Sequence, residues 1–159
     1  MMHGVLQEQG GRFELRFERA FDVAPERVFA AISEADGLAQ WYPTTVEGER
    51  KPGAALALVF TGDDGPPLTG TVVEFQPPSI FAFDEGDNRL RFTVSGKDSG
   101  SILSFVHGFP DASGAARAAA GWHVCLEVLA QYLAGGGMTV NREERFAELH
   151  GDYISRFKA

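Results

Sequence analysis

AARAAAGWHVCLEVLAQYLA, residues 115–134, is the stretch whose reading decides the fold. Its bulky apolar residues fall at Trp122, Cys125, Leu126, Leu129 and Leu133, the spacing that lines one face of a 3.6-residue helix. Asp111 and Ser113 precede it as N-cap candidates, and Gly135-Gly136-Gly137 supplies residues that tolerate the left-handed backbone of a helix end. Such a helix is roughly 30 Å long, enough to cross a small domain. Small residues fill its first two turns and large ones its last three. A sheet closing on the large end would stand away from the small end and leave a hollow there.

Working outward, residues 1–11 are polar and glycine-rich and are expected to be loose. Phe13, Leu15, Phe17 and Phe21 alternate with Glu14, Arg16 and Glu18, the pattern of a half-buried strand. Pro25 opens a helix with the stripe Val28, Phe29 and Ile32, and Ser33 with Asp36 reads as the cap of a second short helix running to Trp41 and stopped by Pro43. Strands are then expected over 54–61, 68–76, 80–85, 89–95 and 101–109, separated by turn chemistry that includes Gly62-Asp63-Asp64-Gly65-Pro66-Pro67, Pro77-Pro78 and Gly86-Asp87-Asn88. Short links make these strands antiparallel neighbours. Asn141 with Glu144 resembles a capping box, and Phe146, Leu149, Tyr153 and Phe157 repeat at helical spacing. The whole is an α+β layout: a curled antiparallel sheet around one long helix, two short helices after the first strand, and an amphipathic C-terminal helix over 138–159 that packs on the domain or on a partner subunit.

The 159 residues fit one domain with a real core. A net charge of -8, with no basic run longer than Arg50-Lys51, argues against a nucleic-acid footprint. The single cysteine, Cys125, precludes an internal disulfide and fits a reducing compartment. The start lacks the basic-then-apolar pattern of a signal peptide, and the apolar run Ala54 to Phe60 is far short of a membrane span, so a cytoplasmic location without membrane insertion is expected.

The string SILSFVHGFPDASGAARAAAGWHVCLEVLAQYLAG, with its strand ending in His107, its polar loop, Gly121-Trp122 and leucines 126, 129 and 133, resembles the START-like superfamily (SRPBCC; polyketide cyclase/dehydrase and birch-pollen-allergen-like proteins). More narrowly it is similar to the branch named after the activator of heat-shock protein 90 ATPase. Ala24-Pro25-Glu26-Arg27-Val28-Phe29 through Trp41 resembles the first helices of that family, and Gly70-Thr71-Val72-Val73-Glu74 followed by Pro77-Pro78 its middle hairpin. The resemblance covers about residues 13 to 134. It implies a START-like domain over 12–137 with a helix-grip fold, in which sheet and helix enclose an apolar cavity for a small hydrophobic or aromatic molecule, with no cofactor.

The residues expected to line that cavity are Trp41, Phe60, Phe83, Phe92, Phe105, His107 and Trp122. Trp41 and Tyr42 fall where a family member places its cavity entrance, although Trp41 also suits a staple between the helix pair and the sheet. Trp122 is floor, wall or plain core. The phenylalanines sit on strands that should face or flank the hollow, and a one-residue slip would reverse a strand's face. His107 could serve as acid or base, or could hydrogen-bond backbone in the loop that follows. Glu74, in an apolar strand, points outward or is a polar group inside. These two are the candidates for an alternative reading as a cyclase or hydrolase. A third reading is an interaction module: a chaperone partner, or a homodimer built through the tail helix. His123 and Cys125 point about 200° apart around a helix and cannot share a metal ion. No phosphate loop, G-x-S-x-G elbow or cysteine pair is present.

Overall fold

The computed structural model describes residues 2–60, 66–136 and 139–158. In chain order they form β1 (Val5–Gln9), β2 (Arg12–Phe21), α1 (Pro25–Ser33), α2 (Ala35–Leu38), β3 (Thr44–Glu47), β4 (Ala55–Phe60), β5 (Leu68–Gln76), β6 (Ile80–Glu85), β7 (Asn88–Lys97), β8 (Gly100–Phe109), α3 (Ala115–Ala134) and α4 (Arg142–Phe157). One antiparallel sheet runs β1-β2-β8-β7-β6-β5-β4-β3 and curls around α3, the helix-grip arrangement. Period-two alternation sets its inner face: Leu15 and Phe17 on β2, Leu56 and Leu58 on β4, Phe81 and Phe83 on β6, Leu90, Phe92 and Val94 on β7, and Leu103 and Phe105 on β8 are all buried. Against them α3 buries Ala115, Ala119 and Ala120 at its slender end and Leu126, Leu129 and Leu133 at its bulky end.

Two strands go beyond the sequence reading. Residues 5–9, expected to be loose, pair along β2 through a turn at Gly10 and Gly11, whose positive φ values (58° and 82°) suit the two-residue hairpin turn. β1 is a polar edge strand, so it carries none of the apolar alternation by which β2 was legible. β3 is the opposite edge, four residues long, with Thr44 and Val46 turned inward.

The helix ends follow local chemistry. Ser33 belongs to α1, where its hydroxyl donates to the Phe29 carbonyl at 2.6 Å, so the expected cap on α2 does not form and Glu34 stands at that position. α2 stops at Leu38, and Trp41 donates its indole N–H to the Ala31 carbonyl at 2.9 Å, the staple between the short helices. Asp111 caps the single turn of 3-10 helix at Ala112–Gly114 that leads into α3. Gly135, at φ 77°, ends α3; Gly137 and residues 61–65 lie outside the described residues. Asn141 accepts from the Glu144 N–H at 3.1 Å, opening α4. α4 lies on α3, with Leu149 and Tyr153 wholly buried.

Candidate functional site

The hollow expected beside the slender half of α3 is occupied by rings. Phe92 stacks on Phe105 with centroids 4.7 Å apart, Phe105 meets Trp122 edge-on at 4.8 Å, Trp41 meets Phe92 edge-on at 6.0 Å, and Phe81 lies against Phe83 at 5.3 Å. Trp41, Phe83, Phe92 and Phe105 are all buried, so they form the core of the grip. Thirteen phenylalanines give the chain enough ring volume to close this space.

The sheet opens at one end, where strands β4, β6 and β8 finish and β3, β5 and β7 begin. By alternation its inner face there carries Thr44 opposite Phe60, Leu68 opposite Leu58, Glu85 opposite Gly70, Asn88 opposite Glu85, and His107 opposite Leu90. Phe60 and Leu68 are 45% and 40% exposed, unlike Leu56, Leu58 and Val72 deeper on the same face. Phe60 was expected to line an enclosed cavity; it stands at the mouth because β4 ends there. Tyr42 is buried among the rings, 5.4 Å from Trp122 and 6.4 Å from Phe83. Burial, then the Glu85 charge, holds the Tyr42 phenol well above its ordinary pKa, and burial raises the Glu85 carboxyl. Thr44 is buried, and its hydroxyl has no hydrogen-bond partner among the described residues.

His107 and Trp122 are both half-buried and in contact with each other. The Trp122 indole donates to His107 Nδ1 at 3.0 Å, so that nitrogen carries no proton and Nε2–H donates to Asn88 Oδ1 at 2.9 Å. The histidine bonds these side chains rather than the following loop. Burial depresses its pKa to about 4, which keeps it neutral. With both nitrogens engaged it has no lone pair to act as a base, and it serves to fix Trp122 and Asn88. Glu74 lies on the outer face, where Arg91 donates to it at 2.7 Å and Gln76 at 2.6 Å. Neither candidate for acid–base chemistry is therefore placed for it. The inward carboxyl is Glu85, which was not among the residues expected at the site. Its signal was the alternation from Phe81 and Phe83, carried two residues further.

Among the described residues no group of three or more His, Cys, Asp or Glu is arranged to hold a metal ion, and no helix is long and apolar enough to cross a membrane. Cys125 is buried on α3, its thiol pushed up to about 11 by desolvation.

The fold recurs in solved structures. A protein of unknown function from Enterococcus faecalis, EF2215, matches with a TM-score of 0.79 at 15% identity, over 96% of this chain and 89% of that one. The Bordetella parapertussis protein encoded by gene BPP1335 matches with a TM-score of 0.75 at 26% identity, over 98% and 90%. The Aha1 dimer of Colwellia psychrerythraea matches with a TM-score of 0.64 at 17% identity, over 76% and 96%. No curated protein sequence matches. The family described as activator of Hsp90 ATPase homolog 1-like protein matches residues 22–134, from the end of β2 through the whole of α3. With that span covering most of the grip, the chain belongs to the activator of Hsp90 ATPase homolog 1-like family and is a START-like domain.

Proposed function

We propose that the open end of the grip binds a small hydrophobic or aromatic molecule, without cofactor. The observation that carries this reading is the exposure of Phe60 and Leu68 at the open end of the sheet's inner face, while the rings deeper in the grip are closed on one another. Apolar surface left wet costs about 25 cal/mol per Å², and a flat guest laid on Phe60 and Leu68 would cover it. The site is shallow: the packed core limits the guest to the mouth. The half-buried Glu85 carboxyl on the same face offers it a polar contact.

Incorporating 5-fluorotryptophan gives a fluorine resonance at Trp122 that can be followed during titration with naphthalene, decanoic acid and similar compounds. We expect saturable shifts at Trp122 and smaller ones at wholly buried Trp41. Replacing Phe60→Ser and Leu68→Ser together, at exposed positions the fold does not need, should weaken binding by about tenfold or more. Saturable binding that survives this double change, or no saturable shift with any compound, overturns the proposal. A dimer built through the tail helix is less favoured, because α4 turns Leu149 and Tyr153 of its stripe onto α3.

A further inference from the structure

β1 forms one edge of the sheet and β3 the other. An edge strand offers a row of N–H and C=O groups to any strand that comes alongside, and folds blunt such rows with charge, cover or shortness. The β3 edge is blunted in all three ways. It is four residues long, α2 packs against it, and Arg50 donates to the Val46 and Gly48 carbonyls at 3.0 and 2.8 Å. The β1 edge is not. Its five residues contain no proline and no bulge, their one charge is Glu8, and Val5 is 53% exposed.

The hairpin decides which groups of β1 are free. Around a two-residue turn the closing pair, Gln9 with Arg12, exchanges both hydrogen bonds, and by alternation so do Gln7 with Glu14 and Val5 with Arg16. Gly4, Leu6 and Glu8 therefore turn their N–H and C=O groups outward. In keeping with this, the Gly4 N–H donates to the Tyr153 hydroxyl of α4 at 2.7 Å. Among the described residues no backbone group pairs with the outward groups of Leu6 and Glu8. A second copy of the same edge fits them in one antiparallel register. Leu6 set opposite Leu6 would put Glu8 against Gly4, whose N–H is already taken. Glu8 set opposite Glu8 would bring like charges together and carry Leu6 onto Gly10, whose φ of 58° belongs to the turn. Centring the pair on Gln7 avoids both. Each Leu6 then faces the other copy's Glu8 and exchanges two N–H···O=C bonds with it, Val5 faces Gln9, and the two Gln7 side chains lie side by side in the closely spaced pair without hydrogen bonds.

We propose that the β1 edge pairs with that of a second copy of this chain, antiparallel about a two-fold axis at Gln7, joining the two sheets into one. The interface is isologous, so it closes on itself as a dimer. A strand edge of this length buries little area, and the association is therefore weak and dependent on concentration. It is separate from the mouth of the grip and does not depend on ligand binding there.

The test is sedimentation equilibrium of the full chain at concentrations up to about 1 mM, the affinity at which association is worth only about 4 kcal/mol. Amide shifts of the 15N-labelled chain are followed over the same range. We expect a monomer–dimer equilibrium in which the Leu6 and Glu8 amides move most. Gln7→Lys and Gln7→Glu change an exposed side chain that the fold does not need, and each sets like charges across the axis. Each variant alone should dimerise about fivefold or more weakly than the parent chain, and an equimolar mixture of the two should recover the loss as a heterodimer. Glu8→Pro removes an outward N–H while leaving the β1–β2 bonds in place, and it should abolish the dimer. A chain that stays monomeric to about 1 mM overturns the proposal and leaves the edge to a strand of another protein. A dimer that tolerates both Gln7 variants equally well, or whose mixture gains nothing over either alone, overturns it too, even if the proline variant fails to fold.

Discussion

His107 shows how a residue suited to chemistry is taken up by structure. Its two nitrogens join Trp122 to Asn88, and together with His123 it gives the fold a defined response to acid. Desolvation lowers both histidines to about 4, with the Arg19 charge as a second cause at His123. The unfolded chain, whose histidines titrate near 6.5, therefore binds more protons than the folded one between these values, and stability rises with pH across that window. It should be fully present above about pH 6.5 and fall as the pH drops toward 4, by at most on the order of 3 kcal/mol per histidine. Urea midpoints measured from pH 7.5 to 4.5 check this. His107→Gln, which can still accept from Trp122 and donate to Asn88, should remove about half of the dependence. At this scale sequence alone was a partial guide. Spacing placed His107 at the end of a strand, but its partners come from α3 and β7, 15 and 19 residues away, and no local pattern encodes them.

Among the elements, β1 and α4 depend on each other. The Tyr153 hydroxyl takes the Gly4 N–H from one side and bonds His123 from the other, and Gly4 lies so close over the Phe17 ring that a Cβ there would clash. Tyr153→Phe keeps the ring and strands both partners, so it should cost about 2 kcal/mol. Hydrogen exchange at the amides of Gly4 and β1 should quicken more than exchange in β7 and β8; uniform acceleration would show that no local clasp exists. The long helix and the central strands were legible because each carries a full apolar period, 3.6 in α3 and 2 in β2 and β7. β1 and β3 were not, since edge strands this short bury too few residues to print a period.

At the scale of the molecule, the curled sheet and α3 enclose an interior built from interlocked aromatic rings. The sequence correctly indicated a slender first half of α3, but not what occupies the space beside it, because ring packing depends on pairs such as Phe92 and Phe105 that meet only across the sheet. Phe92→Ala removes the ring that touches Trp41, Phe81 and Phe105 and should cost about 3–5 kcal/mol, read from denaturant midpoints. A much smaller loss would mean that the interior is loosely filled. The burial of Cys125, the only thiol, means that the folded protein should resist alkylation, and each modification should record a moment when α3 has parted from the elements packed on it. The native chain thus carries its own stopwatch for large-scale opening, readable by mass spectrometry without any introduced label.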